Sequence, residues 1–137
     1  MKKQLSSLDL HFLVKELQVL KGSRINKIYQ PEKDTLVFSL YKTNAGKKLL
    51  KITIGQSLLI AEEKEAYGEI LGFVMPLRKH LDGYFLYDIG QIEPERILKF
   101  SFKVKDGKKY LYMEFFGKGN AILCDEHNVI INALEHH

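Results

Sequence analysis

Apolar residues recur at Leu10, Leu13, Val14, Leu17 and Leu20, the three-to-four spacing that turns one face of a helix toward a core. Ser6 and Ser7 precede this run. A hydroxyl there can cap an orphan backbone N–H, and the carboxylate of Asp9 suits the positive end of the helix dipole. Lys21 and Gly22 supply a stop: a cation near the last carbonyls, then a residue free to turn left-handed. The spacing predicts a helix over 7–21. Extended segments follow over 24–30, closed by Pro31, and over 35–41, where Leu36, Phe38 and Leu40 alternate with Thr35, Val37 and Ser39. Thr43-Asn44-Ala45-Gly46 is a turn, with strands over 48–54 and 57–61 beyond it. Ile70, Phe73, Val74, Leu77 and Leu81 share a face of a second helix over 69–82. Pro76 removes a donor inside it, so the helix is either kinked there or starts late, near the proline.

The rest reads as strands over 84–89, 97–104, 109–116, 121–124 and 129–132. Asp106-Gly107 is the strongest hairpin signal, and 125–128 form another turn. Such close spacing leaves no room for crossover helices, so the strands pair antiparallel. The expected class is α+β: a mostly antiparallel β-sandwich or barrel-like sheet with two helices.

Composition narrows the possibilities. With 137 residues, 45% hydrophobic and 28% charged, the chain suits one globular domain and is no disordered, collagen-like or linker sequence. The single cysteine, Cys124, excludes an internal disulfide framework and a multi-cysteine zinc site, and reads as a small buried hydrophobe. No apolar run approaches a membrane span, and no apolar core follows the charged start, so a cytoplasmic protein is expected. Leu134, Glu135, His136 and His137 read as the remnant of an expression tag. The apolar run before them stops abruptly, so residues 1–133 are expected to be one domain of a longer protein. The net charge of +4 and a pI near 9.0 suit a polyanionic partner.

Candidate chemistry is sparse. There is no P-loop, no zinc-protease motif and no cysteine–histidine cluster, and no cofactor is expected. Gly117-Lys118-Gly119-Asn120 lies between strands and reads as a flexible hairpin loop ahead of a phosphate cradle. Arg78, Lys79 and His80 project sideways or outward from the second helix, as a phosphate-binding patch or a solvated face. Glu95-Arg96 stands just before a strand, where arginine can clamp a phosphate or make a surface ion pair. Lys103, Lys105, Lys108 and Lys109 surround the Asp106-Gly107 turn and read as solubilising, edge-protecting lysines. The many tyrosines and phenylalanines on the strands are expected mostly to fill the core.

Five stretches, in this order, carry a resemblance: Ser7-Leu8-Asp9-Leu10; Gly22 through Tyr29; Leu77-Arg78-Lys79-His80-Leu81; Gln91 with Glu95-Arg96-Ile97-Leu98; and Glu114 through Leu123. Together they resemble the N-terminal domain of the NFACT family. Its members carry the name fibronectin-binding protein A and include the tailing factors of ribosome-associated quality control. The resemblance implies a fold like the N-terminal domain of formamidopyrimidine-DNA glycosylases. It also implies partners: tRNA, and a large ribosomal subunit carrying an obstructed nascent chain. The family's acidic residue at the start of the first helix matches Asp9. Its Asp-Arg pair matches Glu95-Arg96, with one extra methylene on the acid, and its Leu-Arg-Lys motif matches Leu77-Arg78-Lys79. The implied tRNA-binding residues are therefore Asp9, Glu95, Arg96, Arg78 and Lys79, in a binding module rather than an enzyme.

Two other classes follow from the same resemblance. A glycosylase would need an N-terminal proline amine, where this chain has Lys2. An adhesion module would bind fibronectin, against which stands the lack of a signal sequence or disulfides.

Overall fold

The computed structural model describes residues 5–62 and 68–136; Lys2, to which the glycosylase comparison points, and His137 lie outside them. Helix α1 spans Ser7–Leu17 and opens on a reciprocal cap. The Asp9 N–H donates to Ser6 Oγ at 3.0 Å, and the Ser6 N–H donates to Asp9 Oδ2 at 2.9 Å. The expected helix over 7–21 narrows into a 3₁₀ turn at Gln18–Leu20 before Gly22, with φ of 86°, turns the chain into the sheet.

Nine strands follow: β1 Arg24–Glu32, β2 Thr35–Lys42, β3 Gly46–Thr53, β4 Ser57–Ala61, β5 Phe85–Ile92, β6 Ile97–Val104, β7 Gly107–Glu114, β8 Asn120–Asp125 and β9 Ile130–Ala133, with helix α2, Val74–Leu81, between β4 and β5. They form one sheet in the order β4-β3-β2-β1-β5-β6-β7-β8-β9, antiparallel throughout. The α+β class with two helices is therefore correct. The sandwich character comes from a narrow seam. β1 and β5 share one register pair, Arg24 with Phe85. The two halves fold over that seam onto a common core, where the rings of Phe38 on β2 and Phe102 on β6 stack 6.4 Å apart. Leu10 and Leu17 seal the core from α1, Leu20 from the 3₁₀ turn, and Val74, Leu77 and Leu81 from α2.

The departures from expectation have local causes. Pro31 does not end β1; it lies in the register break between Tyr29 and Glu32, where a missing N–H costs no ladder bond. The second helix starts late, at Val74, so Pro76 falls in its first turn, where helical N–H groups have no intrahelical partner. One of those orphan donors, the Val74 N–H, is satisfied by the buried Gln30 Oε1 at 3.0 Å. The β6–β7 turn is Lys105-Asp106, closed by the Val104–Gly107 pair, one residue earlier than Asp106-Gly107 suggested. β7 therefore ends at Glu114, leaving Phe116 exposed in the next loop. That loop is no loose connection. A Cβ on Gly119 would lie 2.5 Å from the Gly55 Cα, so the β3–β4 and β7–β8 turns touch backbone to backbone and brace one end of the folded sheet. Cys124 is buried, and burial pushes its thiol pKa up.

Candidate nucleic-acid interface

The first turn of α1 is pinned to the far end of β5. The Gln91 side-chain amide donates to Ser7 O at 3.1 Å and to Ser7 Oγ at 3.0 Å. One turn on, His11 Nδ1 lies 4.0 Å from Glu93 Oε1. The β5–β6 turn follows at once, carrying exposed Glu95 and half-buried Arg96. Its backbone is held from behind, because the Phe115 N–H donates to Arg96 O at 2.7 Å. Asp9 and the Glu95–Arg96 turn, more than eighty positions apart in sequence, thus share one braced end of the molecule. Asp9 also lines a shallow groove with Phe12, Leu13, Gln56 and Leu58, between α1 and the β3–β4 hairpin.

The α2 pair belongs elsewhere. Arg78 Nε donates to Ile28 O at 2.8 Å, and its guanidinium pairs with Glu69. Arg78 therefore ties α2 to β1, with its side chain 20% exposed. Lys79 is exposed on the same helix, and His80 beside it is held below the usual imidazole pKa by burial and then by the charges of Lys109 and Lys79.

Two arrangements escape a reading of the sequence alone. Gln91, which enters the sequence reading only through the family resemblance, orients Asp9's helix through Ser7; its Oε1 is buried with no hydrogen-bond partner among the described residues. The strand aromatics also do not fill the core together: Phe85, on β5, is exposed. Phe100, Phe102 and Phe115 are buried, whereas Tyr87, Tyr110 and Tyr112 are half-exposed on the outer face. Lys99 Nζ stands 4.0 Å from the Tyr110 ring centre, and Lys108 Nζ stands 5.4 Å from that of Tyr87. Period-two alternation does mark Tyr110 and Tyr112 as opposite in facing to Leu111 and Met113, which is the signal that could have found them.

The family model for NFACT N-terminal and middle domains matches residues 6–137. The chain belongs to the NFACT family. It is 37% identical over 134 residues to ribosome quality control complex subunit 2 of Saccharomyces cerevisiae, covering 96% of this chain and 13% of that protein. It is 34% identical over 127 residues to the Rqc2 homolog RqcH of Bacillus subtilis, covering 85% of this chain and 22% of that protein. The chain thus spans between about an eighth and a quarter of the length of these relatives. Among solved structures, the N-terminal domain of fibronectin-binding protein PavA from Streptococcus pneumoniae superposes with a TM-score of 0.85 at 27% identity, covering 97% of this chain and 54% of that one. The NFACT match includes residues 134–137. Leu134 and Glu135 rest on the domain: the Leu134 N–H donates to Ala121 O, and the Glu135 N–H donates to Asn120 Oδ1.

Proposed function

We propose that this NFACT domain is the tRNA-binding module of a ribosome-associated quality-control factor. It works in the cytoplasm on large subunits that carry an obstructed chain, and supports C-terminal tailing of that chain. The observation that carries this reading is the braced end that unites Asp9 with the Glu95–Arg96 turn. The names of the yeast and Bacillus relatives support the quality-control setting. Arg96 offers a forked cation to backbone phosphate, on a turn whose backbone is held by the Phe115 N–H. Asp9 and Glu95 accept hydrogen bonds from ribose hydroxyls or base edges, which lets carboxylates work within an RNA contact. Lys79 adds general attraction from α2, and Arg78 contributes by holding that helix in place. The domain binds and positions; bond-making is left to the ribosome.

Titration of labelled tRNA tests this. Arg96→Glu is expected to weaken binding at least tenfold while the circular dichroism spectrum stays unchanged. Unchanged affinity would remove Arg96 from the site. A second reading, fibronectin binding, draws on the name of the PavA neighbour. A pull-down at physiological salt separates the two, because charge-driven adhesion fades there.

A further inference from the structure

The lysines around the β6–β7 hairpin are arranged in a way that solubility alone does not require. Lys103 and Lys108 are register partners, directly opposite one another across the ladder, a like-charge placement that costs stability. Lys105 occupies the turn between them. Lys99 and Lys108 lean over Tyr110 and Tyr87, rings that draw cations onto the outer face. Lys109 faces the other way, toward α2, where its charge and that of Lys79 both bear on His80. The hairpin's own carboxylates are Asp106 at the turn, Glu126 close against Gly107, and Asp125 opposite Lys109. Asp125 is already engaged, accepting the N–H groups of His127 and Val129 at 2.8 and 2.9 Å. The lysines outnumber these acids and continue from the sheet's outer face, over the hairpin, to the end of α2.

We propose that this hairpin is a second RNA-binding surface, separate from the Asp9–Arg96 end, and that it takes the phosphodiester backbone without reading bases. The tyrosine geometry decides between backbone and base recognition. Base stacking needs an open aromatic face. Here ammonium groups stand over the rings of Tyr110 and Tyr87, so the tyrosines position lysines rather than offer platforms for bases. The like-charge pair of Lys103 and Lys108 is relieved when a phosphate bridges it. The surface does not depend on the Arg96 reading, since it shares no residue with that end of the molecule.

The test is fluorescence anisotropy with the 137-residue chain, using labelled 20-nucleotide oligo(U) and a labelled RNA hairpin at two salt concentrations. Lys103→Glu/Lys108→Glu/Lys109→Glu is compared with a charge-matched control on β3, Lys47→Glu/Lys48→Glu/Lys51→Glu. The hairpin variant is expected to lose at least tenfold affinity for both RNAs. Its slope of log affinity against log salt should flatten by about 2 to 3, for three phosphate contacts at roughly 0.7 to 0.9 each. The β3 control should lose under threefold. Equal losses in the hairpin and β3 variants would mean net charge alone, and would overturn the proposal. So would an undiminished hairpin variant, or selective binding of anionic vesicles with no RNA affinity. If the triple variant unfolds, Lys103→Gln/Lys108→Gln carries the same comparison, because it removes the opposed charges without reversing them.

Discussion

At the scale of single residues, Asp9 has two jobs that can be separated. It completes the cap with Ser6, and in the proposed site it faces RNA. Ser6→Ala removes the other half of that cap and should cost about 1 kcal/mol of stability. Asp9→Ala should cost a similar amount. The two diverge in binding: Asp9→Ala is expected to weaken tRNA capture severalfold, while Ser6→Ala leaves it unchanged. Urea unfolding and anisotropy on the same two variants check this, and equal binding would reduce Asp9 to a helix cap. His80 gives a residue-scale prediction in pH. Burial, then Lys109 and Lys79, hold its folded pKa below the ordinary 6.5. Between 6.5 and the lower folded value, the unfolded chain binds the extra proton and the folded one does not. Stability is therefore fully present above 6.5 and is lost as pH falls toward the folded pKa. His80→Gln should flatten stability across that window, as read by unfolding midpoints at successive pH values.

At the scale of elements, the joints between segments matter more than the segments. Gln30, on β1, caps α2 from another part of the chain, and its side chain is buried. Gln30→Leu strands the Val74 N–H and should cost about 1 to 3 kcal/mol. The two loop glycines make a matched pair. Gly119→Ala drives a Cβ into the Gly55 backbone and keeps a φ of 80°, so it should cost about 2 kcal/mol or more. Gly117, with φ of 59° and open space around it, should tolerate alanine for about 1 kcal/mol. Chemical denaturation of both variants checks the contrast. These joints also mark where sequence reading stopped. The first helix, its cap and the antiparallel pairing of neighbouring strands follow from spacing and turn residues, which act locally. The late start of α2 is one of the two readings that Pro76 allows; the partner of its first N–H is not legible, because Gln30 lies far away in sequence. The Gly55–Gly119 contact likewise joins two turns that each read as ordinary loops. The outward tyrosines were legible by parity on β7, but the abundance of aromatics suggested a core that Phe100, Phe102 and Phe115 already fill.

At the scale of the whole molecule, one narrow seam raises the question of how two half-sheets behave as a unit. The single β1–β5 register pair is flanked by backbone hydrogen bonds of Gly22 and Ser23 with Leu86 and of Ile25 with Gly83 and Tyr84, a seam still short beside the full ladders within each half. The shared core must couple the halves, and Phe38 against Phe102 is its most direct bridge. Phe102→Ala should therefore destabilise by about 3 to 5 kcal/mol and still leave one cooperative transition, since neither half can bury its inner face alone. Hydrogen exchange of β3 and β7 amides in this variant should accelerate together; acceleration confined to β7 would mean that the halves are separate folding units. This coupling bears on function. Asp9 and Arg96 depend on α1, β5 and the braced turns, while the lysine hairpin depends on β6 and β7. A rigid shared core holds the two surfaces at a constant separation, which one continuous RNA could span without reordering the protein. If both bind the same RNA, their combined effect exceeds the sum of the parts through effective concentration. A cycle of Arg96→Ala, Lys108→Glu and the double variant, titrated with intact tRNA, measures it. The expected outcome is a coupling of at least threefold; additive losses would mean that no single RNA engages both surfaces.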